Sequence, residues 1–351
     1  MERLKRFTFD DLSQIVQQTK GEIKFGERVQ LLNNPTDWAT ELKSSPSKYV
    51  LLGIPEDIGV RANTGKSGAR SIWQHTLNNL LNLQHNRFCK GYSLLILGYL
   101  DVSEELSVAS ALDSNDKEQR KTYYKLVEQI DKEVSHLVFT ILKAGKIPII
   151  IGGGQNNSYG AIKGAALSTG KPINAVNFDA FSHFTTTEGR HSGNSFSYAF
   201  EEGFLQNYFV FGLHENYTSK AVLSNIKKVV DRVKYNTYEQ LLVRREKDFF
   251  TEIEAALQFI QNGGYGIDID LDAMTILSSN NLFSSGFKAH ELRQFVSAMA
   301  SKKQVKYFHV SEGTSSVAEY SNFDQVGKLI ALLITDFIKS NTIAQENIEL
   351  Q

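Results

Sequence analysis

Ile147-Pro148-Ile149-Ile150-Ile151-Gly152-Gly153-Gly154-Gln155-Asn156-Asn157 is the stretch on which the fold turns. An apolar run rich in isoleucine passes without a polar break into three glycines and a polar triplet. A continuous run of β-branched residues suits a strand buried on both faces rather than one with a wet side. The glycines let the chain leave the sheet sharply. Gln155, Asn156 and Asn157 then stand beyond a carboxyl strand end, where open parallel sheets bind their ligands.

Two more stretches repeat this grammar. The run Ile173 to Phe178 (INAVNF) passes into Asp179-Ala180-Phe181-Ser182-His183, and Tyr265 to Ile269 (YGIDI) ends in Asp268-Ile269-Asp270-Leu271-Asp272. Further apolar runs lie at Tyr49 to Ile54, Leu94 to Leu97, Tyr208 to Leu213 and Val305 to Val310, with a weaker strand expected near Lys228 to Asp231. Helical periodicity separates them. Tyr124, Val127, Ile130, Val134, Leu137, Val138 and Ile141 recur at three- and four-residue spacing after Asp116, with Gly145 placed to end the helix. Helices are also expected over Phe9 to Thr19, Ser67 to Leu83, Thr251 to Gln261 and Gln325 to Lys339. Strands alternating with helices predict a three-layer α/β/α sandwich around a mainly parallel sheet. Residues 1–351 read as a single domain, with 1–46 as an N-terminal extension.

The net charge is -1, so no basic field favours nucleic acid, and no basic amphipathic stretch marks a membrane surface. No apolar run reaches the length of a membrane span, and no apolar segment follows Lys5 and Arg6 as a signal peptide requires. The single cysteine, Cys89, excludes an intrachain disulfide and a Cys-rich zinc site, and reads as a packing thiol in a cytoplasmic protein.

The carboxylates at the strand ends are the chemical signal. Asp268 and Asp270 lie two apart on a strand, so both side chains leave the same face. Like charges at close range need a cation, a proton or solvent between them, and hard divalent metals favour such oxygens. An acidic, solvated loop accounts for the pair equally well. His309, inside a strand, reads as a core histidine, and Phe196, Tyr198 and Phe200 as packing residues. His75, His85, His136 and His290 carry no spacing signal.

Together, the three strand-end segments resemble the signatures of the ureohydrolases, the arginase, agmatinase and formiminoglutamase family. Gly53 to Asp57, Gly68-Ala69-Arg70, Glu188 to Asn194, and Glu312 after the strand Val305 to Val310 extend the likeness from Tyr49 to Asp336. Gly152 to Asn157 and Gly212 to Tyr217 resemble a formiminoglutamase-like branch. The resemblance implies an arginase-like sheet of about eight strands and hydrolysis of a linear amidine or guanidino C–N bond, with formiminoglutamate the leading substrate class. It also implies a homo-oligomer, two Mn²⁺ ions bridged by hydroxide, and six ligands: a His, an Asp-His-Asp set and two Asp.

Only half of that set is present. Asp179, Asp268 and Asp270 match, while Gln155, Phe181 and His183 stand at His, His and Asp positions. A benzyl ring has no donor, and an amide oxygen is a poor substitute for imidazole on a transition metal. The binuclear cluster is therefore not expected to form. One ion held by Gln155, Asp179, His183 and Asp268 and an empty polar cleft are the two remaining readings. Restoring Gln155→His, Phe181→His and His183→Asp is expected to bring back two-metal binding. The resemblance further assigns Glu312 and His191 to catalysis, and Asn194, Ser192 and His214 to contacts with an amidino or guanidino ligand. Three functions stay open: a ureohydrolase-like protein with lost or reduced activity, a one-metal amidinohydrolase, and a non-catalytic subunit of an active paralogue.

Overall fold

One sheet of nine strands runs through the molecule, in the order β1-β3-β2-β4-β9-β8-β5-β6-β7. The computed structural model describes residues 3–33, 37–65, 68–275, 285–313 and 320–349. Its strands are β1 (Leu4–Arg6), β2 (Tyr49–Gly53), β3 (Leu94–Leu100), β4 (Ile147–Ile151), β5 (Ile173–Phe178), β6 (Leu205–Leu213), β7 (Val233–Thr237), β8 (Tyr265–Asp270) and β9 (Val305–Ser311). Every neighbouring pair is parallel except β1–β3, where Leu4 lies opposite Leu100 in an antiparallel ladder. The fold class is the expected one, with one strand more. That strand is three residues long and carries no periodicity to read.

The helices are α1 (Phe9–Ile15), α2 (Trp38–Ser44), α3 (Ile58–Ala62), α4 (Ile72–Leu80), α5 (Ser103–Ser110), α6 (Lys117–Lys143), α7 (Asn157–Thr169), α8 (Ser195–Glu201), α9 (Lys220–Lys228), α10 (Phe249–Ile260), α11 (Ala289–Ala300) and α12 (Tyr320–Glu349). Two apolar cores cover the two sheet faces. α1, α4, α10, α11 and α12 pack on one side, with Val176, Ile267 and Phe308 from the sheet. α2, α3 and α5 to α9 pack on the other, with Val50, Ala175 and Tyr307. Tyr123, Val127, Ile130, Val134, Leu137, Val138 and Ile141 are buried along α6, whose first-turn amides are capped by Asp116. Gly145 ends that helix with φ 77°, a left-handed turn that glycine adopts without strain.

Several boundaries moved: β3 runs on to Leu100, β6 starts at Leu205, and α12 extends beyond the expected Gln325 to Lys339 at both ends. The strand expected near Lys228 to Asp231 begins instead at Val233, because Ser219 caps a helix that buries Val222 and Ile226 and runs to Lys228. α1 stops at Ile15 rather than Thr19. The helix expected from Ser67 starts at Ile72, after a short turn at Ala69–Ser71; Ser67 itself lies outside the described residues.

β4, β9, β8, β5 and β6 are consecutive in the middle of the sheet. Their carboxyl ends therefore gather the glycine loop, Glu312, Asp270, Asp179 and His214 at one central edge.

Candidate functional site

Gly152 and Gly153 both have positive φ, and a Cβ on Gly153 would lie 2.1 Å from Asn157 Nδ2. Only glycine lets the chain turn here. The turn folds over Glu56, a fully buried carboxylate. Its Oε1 accepts from Gly154 N and from the Asn156 and Asn157 amides, and its Oε2 from Ile58 N and Gly59 N. Burial still raises its pKa. Glu56 thus ties the loop after β2 to the loop after β4.

At the end of β5, Asp179 is fully buried. Its Oδ1 accepts from Phe181 N at 2.7 Å and its Oδ2 from Asn177 Nδ2 at 2.6 Å. The chain then turns through His183 at φ 44°. That left-handed conformation is uncommon outside glycine, and Glu312, at φ 58°, shares it. The turn places His183 Nε2 2.9 Å from Asp179 Oδ2 and 3.2 Å from Asp270 Oδ2. Its Nδ1 lies 2.7 Å from the Ser192 carbonyl. A carbonyl only accepts, so Nδ1 carries the hydrogen and Nε2 faces the two carboxylates.

The electrostatics follow from burial. Burial disfavours the His183 cation, but Asp179 and Asp270 outweigh it and hold its pKa well above the ordinary value. Burial, and then repulsion from Asp179, push Asp270 up to about 6. Burial, with Asp270 and Asp272 adding repulsion, raises Glu312 well above the carboxylate range. The cluster is short of positive charge.

Asp179, His183 and Asp270 could hold a metal ion, their ligand atoms all lying within 4.8 Å of one another. Donors at right angles on bonds of about 2.1 Å stand ~3 Å apart, so the spacing fits one hard divalent ion. The Ser192 carbonyl on Nδ1 is the partner that orients a ligating imidazole. This is not the four-ligand set read from the sequence. Gln155 is fully buried, accepting from Ser311 Oγ and donating to Asn177 Oδ1 at 3.2 Å, so both ends of its amide are engaged. Asp268 is engaged by Tyr307, Ser158 and His309. Phe181 offers no donor atom, and both oxygens of Asp268 already accept hydrogen bonds.

Beside the cluster lies a cavity of about 340 Å³. Asp270, Asp272, Glu312 and His183 supply its charge, Phe181, Tyr217, Val60 and Val222 its apolar walls, and Asn63, Ser182, Ser192 and Ser219 its neutral polar groups. Asp272 and Tyr217 were not singled out from the sequence, although Asp272 follows the same two-residue spacing as Asp268 and Asp270.

The substrate loop is mostly self-bound. Asn194 Oδ1 accepts from Arg190 Nη1 and His191 N, and its Nδ2 donates to Thr186 O and Gly189 O. All four bonds of that amide are used, so Asn194 braces the loop rather than offering itself to a ligand. His191 Nδ1 accepts from Gly193 N, and burial lowers its pKa to about 4. Neither His191 nor His214 lines the cavity, and His214 stacks on Tyr238 with ring centroids 4.6 Å apart. Ser192 meets the cavity and orients His183 through its carbonyl. Arg190 anchors the whole loop. It is buried, pairs with Asp131 at 2.8 Å, donates to Asn156 O, and lies over the rings of Tyr159 and Tyr198.

A mainly parallel α/β sheet thus brings Asp179, His183 and Asp270, which could hold a cation, together at its central strand ends. Residues 47–322 match the Arginase family, and the chain belongs to that family. It is similar to the formimidoylglutamase of Hahella chejuensis, 26% identical over 220 residues, and to that of Aromatoleum aromaticum, 28% identical over 157 residues. The matched stretches cover 58% and 43% of this chain and 60% and 42% of those proteins. In structure it is similar to Bacillus subtilis formimidoylglutamase, with a TM-score of 0.71 and 17% identity over 93% of this chain and 94% of that one. Trypanosoma cruzi formiminoglutamase with Mn²⁺ gives 0.69 at 16% identity, over 91% and 98%. At such identities the structural likeness establishes the fold alone. Among the described residues, no helix is long and apolar enough to cross a membrane.

Proposed function

We propose that this chain has lost the two-manganese hydrolysis for which its ancestral site was built, and that its cavity binds a compact amidino or guanidino cation. The carrying observation is the cavity's charge. Asp270, Asp272 and Glu312 face it, and no described residue lining it is Lys or Arg. A planar cation with several N–H donors matches carboxylates at short range. His183, the cationic group in the lining, is already paired with Asp179 and Asp270, so the cationic end of a formiminoglutamate-type ligand is what this cavity recognises.

A second reading, a one-metal amidinohydrolase, draws on the 2.9 and 3.2 Å spacings around His183 Nε2. Asp179, His183 and Asp270 would hold the ion, whose chemistry is to activate water for attack on an amidine carbon.

Calorimetry on metal-stripped protein separates the two. Agmatine is expected to bind and glutamate not to, and Glu312→Gln is expected to weaken agmatine. Absence of agmatine binding refutes the binding reading. Manganese-dependent release of formamide from formiminoglutamate establishes the second reading in its place.

A further inference from the structure

The cavity has two unlike sides, and the strand order sets the division. β9 and β8 are adjacent, and β5 and β6 follow them across the sheet. Asp270 and Asp272 stand at the end of β8 and Glu312 just past β9, so the carboxylates come from the first pair of strands. Phe181, past β5, and Tyr217, in the turn after β6, bring two aromatic rings from the second pair. Val60 of α3 and Val222 of α9 add aliphatic surface.

The two rings form a corner. Their centroids are 6.4 Å apart and their planes meet at 62°. Phe181 is only half-buried and Tyr217 is 48% exposed, so neither ring is sealed into the core. Both are nevertheless placed by their surroundings. Phe181 stands 6.3 Å from the His183 ring. Tyr217 stands 6.1 Å from the ring of His214, which is stacked on Tyr238. The turn that carries Tyr217 is closed on the His214 carbonyl, which accepts from Tyr217 N at 3.3 Å and from Thr218 Oγ1 at 2.7 Å. A cation within about 6 Å of a ring centroid is drawn to the π-face, and one seated in this corner lies within that range of both rings.

An unsubstituted guanidinium suits only half of such a cavity. It carries N–H donors around its whole edge. Those turned to Asp270, Asp272 and Glu312 meet acceptors. Those turned to Phe181, Tyr217, Val60 and Val222 lose water and meet none, and an unsatisfied donor costs more than a hydrogen bond returns. Methyl groups on that side remove the stranded donors and keep the charge. A purely aliphatic wall would repel that charge, whereas the rings attract it.

We propose that the cavity selects an N-methylated guanidinium, its free N–H groups on Asp270, Asp272 and Glu312 and its methyl groups in the corner between Phe181 and Tyr217. This rests on the reading of the cavity as a cation site and names the class of cation. Phe181, which cannot ligate a metal, is here a specificity-determining residue.

The test measures N,N-dimethylguanidinium, guanidinium and tetramethylammonium, each as its chloride at millimolar concentration, binding to the metal-stripped full chain in EDTA by calorimetry. Dimethylguanidinium is expected to bind at least about fivefold tighter than guanidinium. Tetramethylammonium has no N–H for the carboxylates and should bind more weakly than dimethylguanidinium. Phe181→Leu and Tyr217→Leu keep apolar bulk without a π-face, and each should at least halve the preference; Tyr217→Phe should keep it. The preference is a ratio within one protein, and the exposed Tyr217 supplies it even if Phe181→Leu fails to fold. Guanidinium binding as tightly as dimethylguanidinium overturns the proposal, as does tetramethylammonium binding tightest or a preference unchanged in Tyr217→Leu. If none of the three binds, the proposal falls, and agmatine measured beside them shows whether the cation site falls with it.

Discussion

Replacing Arg190 by methionine keeps the stem that packs against Tyr159 and Tyr198 but removes the guanidinium. Asp131, buried on α6, then loses its one ion-pair partner among the described residues, at 2.8 Å. Removing one member of a buried ion pair costs about 3–5 kcal/mol, because the other charge is left unpaired. The Asn194, Asn156 and His191 oxygens lose donors as well. With an unfolding entropy of about 2.1 cal/mol/K per residue over 351 residues, that deficit lowers the melting temperature by roughly 4–7 °C. The deficit should also depend on pH. Burial, partly offset by Arg190, already pushes Asp131 up to about 6 in the intact protein. A carboxyl whose folded pKa is raised loses stability as pH climbs from its unfolded value through its folded value. Without Arg190 the folded value climbs further, so the deficit should be smallest near pH 5 and largest near pH 8. Differential scanning calorimetry of Arg190→Met, Asp131→Asn and the double variant completes the cycle. The double variant should be more stable than the sum of the single losses allows. A flat pH profile, or strict additivity, would refute this account of the loop's anchor.

His191 offers the opposite sign. Its folded pKa, lowered by burial to about 4, lies below the ordinary value of 6.5. Stability tied to its neutral form is therefore whole above pH 6.5 and is lost as pH falls through 4, so melts of wild type and His191→Gln should differ most in how steeply they fall across that window. Binding of a guanidino cation beside Glu312, whose pKa burial raises, should drive a proton off; calorimetry in buffers of different ionisation enthalpy should show that release, and Glu312→Gln should abolish it. The Gln155→His, Phe181→His, His183→Asp variant should take two manganese ions per chain, as counted by native mass spectrometry; a count unchanged from wild type would mean that these three positions are not the missing ligands.

Most of the sheet was readable because β2, β4, β5 and β8 are buried at every position, and burial on both faces writes a continuous apolar run. β7 was misplaced because it is an edge strand: Lys234 and Tyr235 are exposed, and the neighbouring Val229–Val230 pair outshone it. The site was readable to the level of the strand ends. Asp179, His183 and Asp270 meet as residues at adjacent strand ends should. What spacing could not show is that Asp268, sharing a face with Asp270, lies one step deeper and is closed off. Its donors are 39, 41 and 110 positions away, on β9 and α7. Nor could it show that Asn194 spends its whole amide on its own loop, since that depends on where Arg190 is anchored.

The central claim concerns metal count, and elemental analysis of wild-type protein purified from manganese-supplemented cells reads it directly. No more than one manganese per chain is expected, and Asp270→Asn should remove whatever is there. Two stoichiometric manganese ions per chain would contradict it.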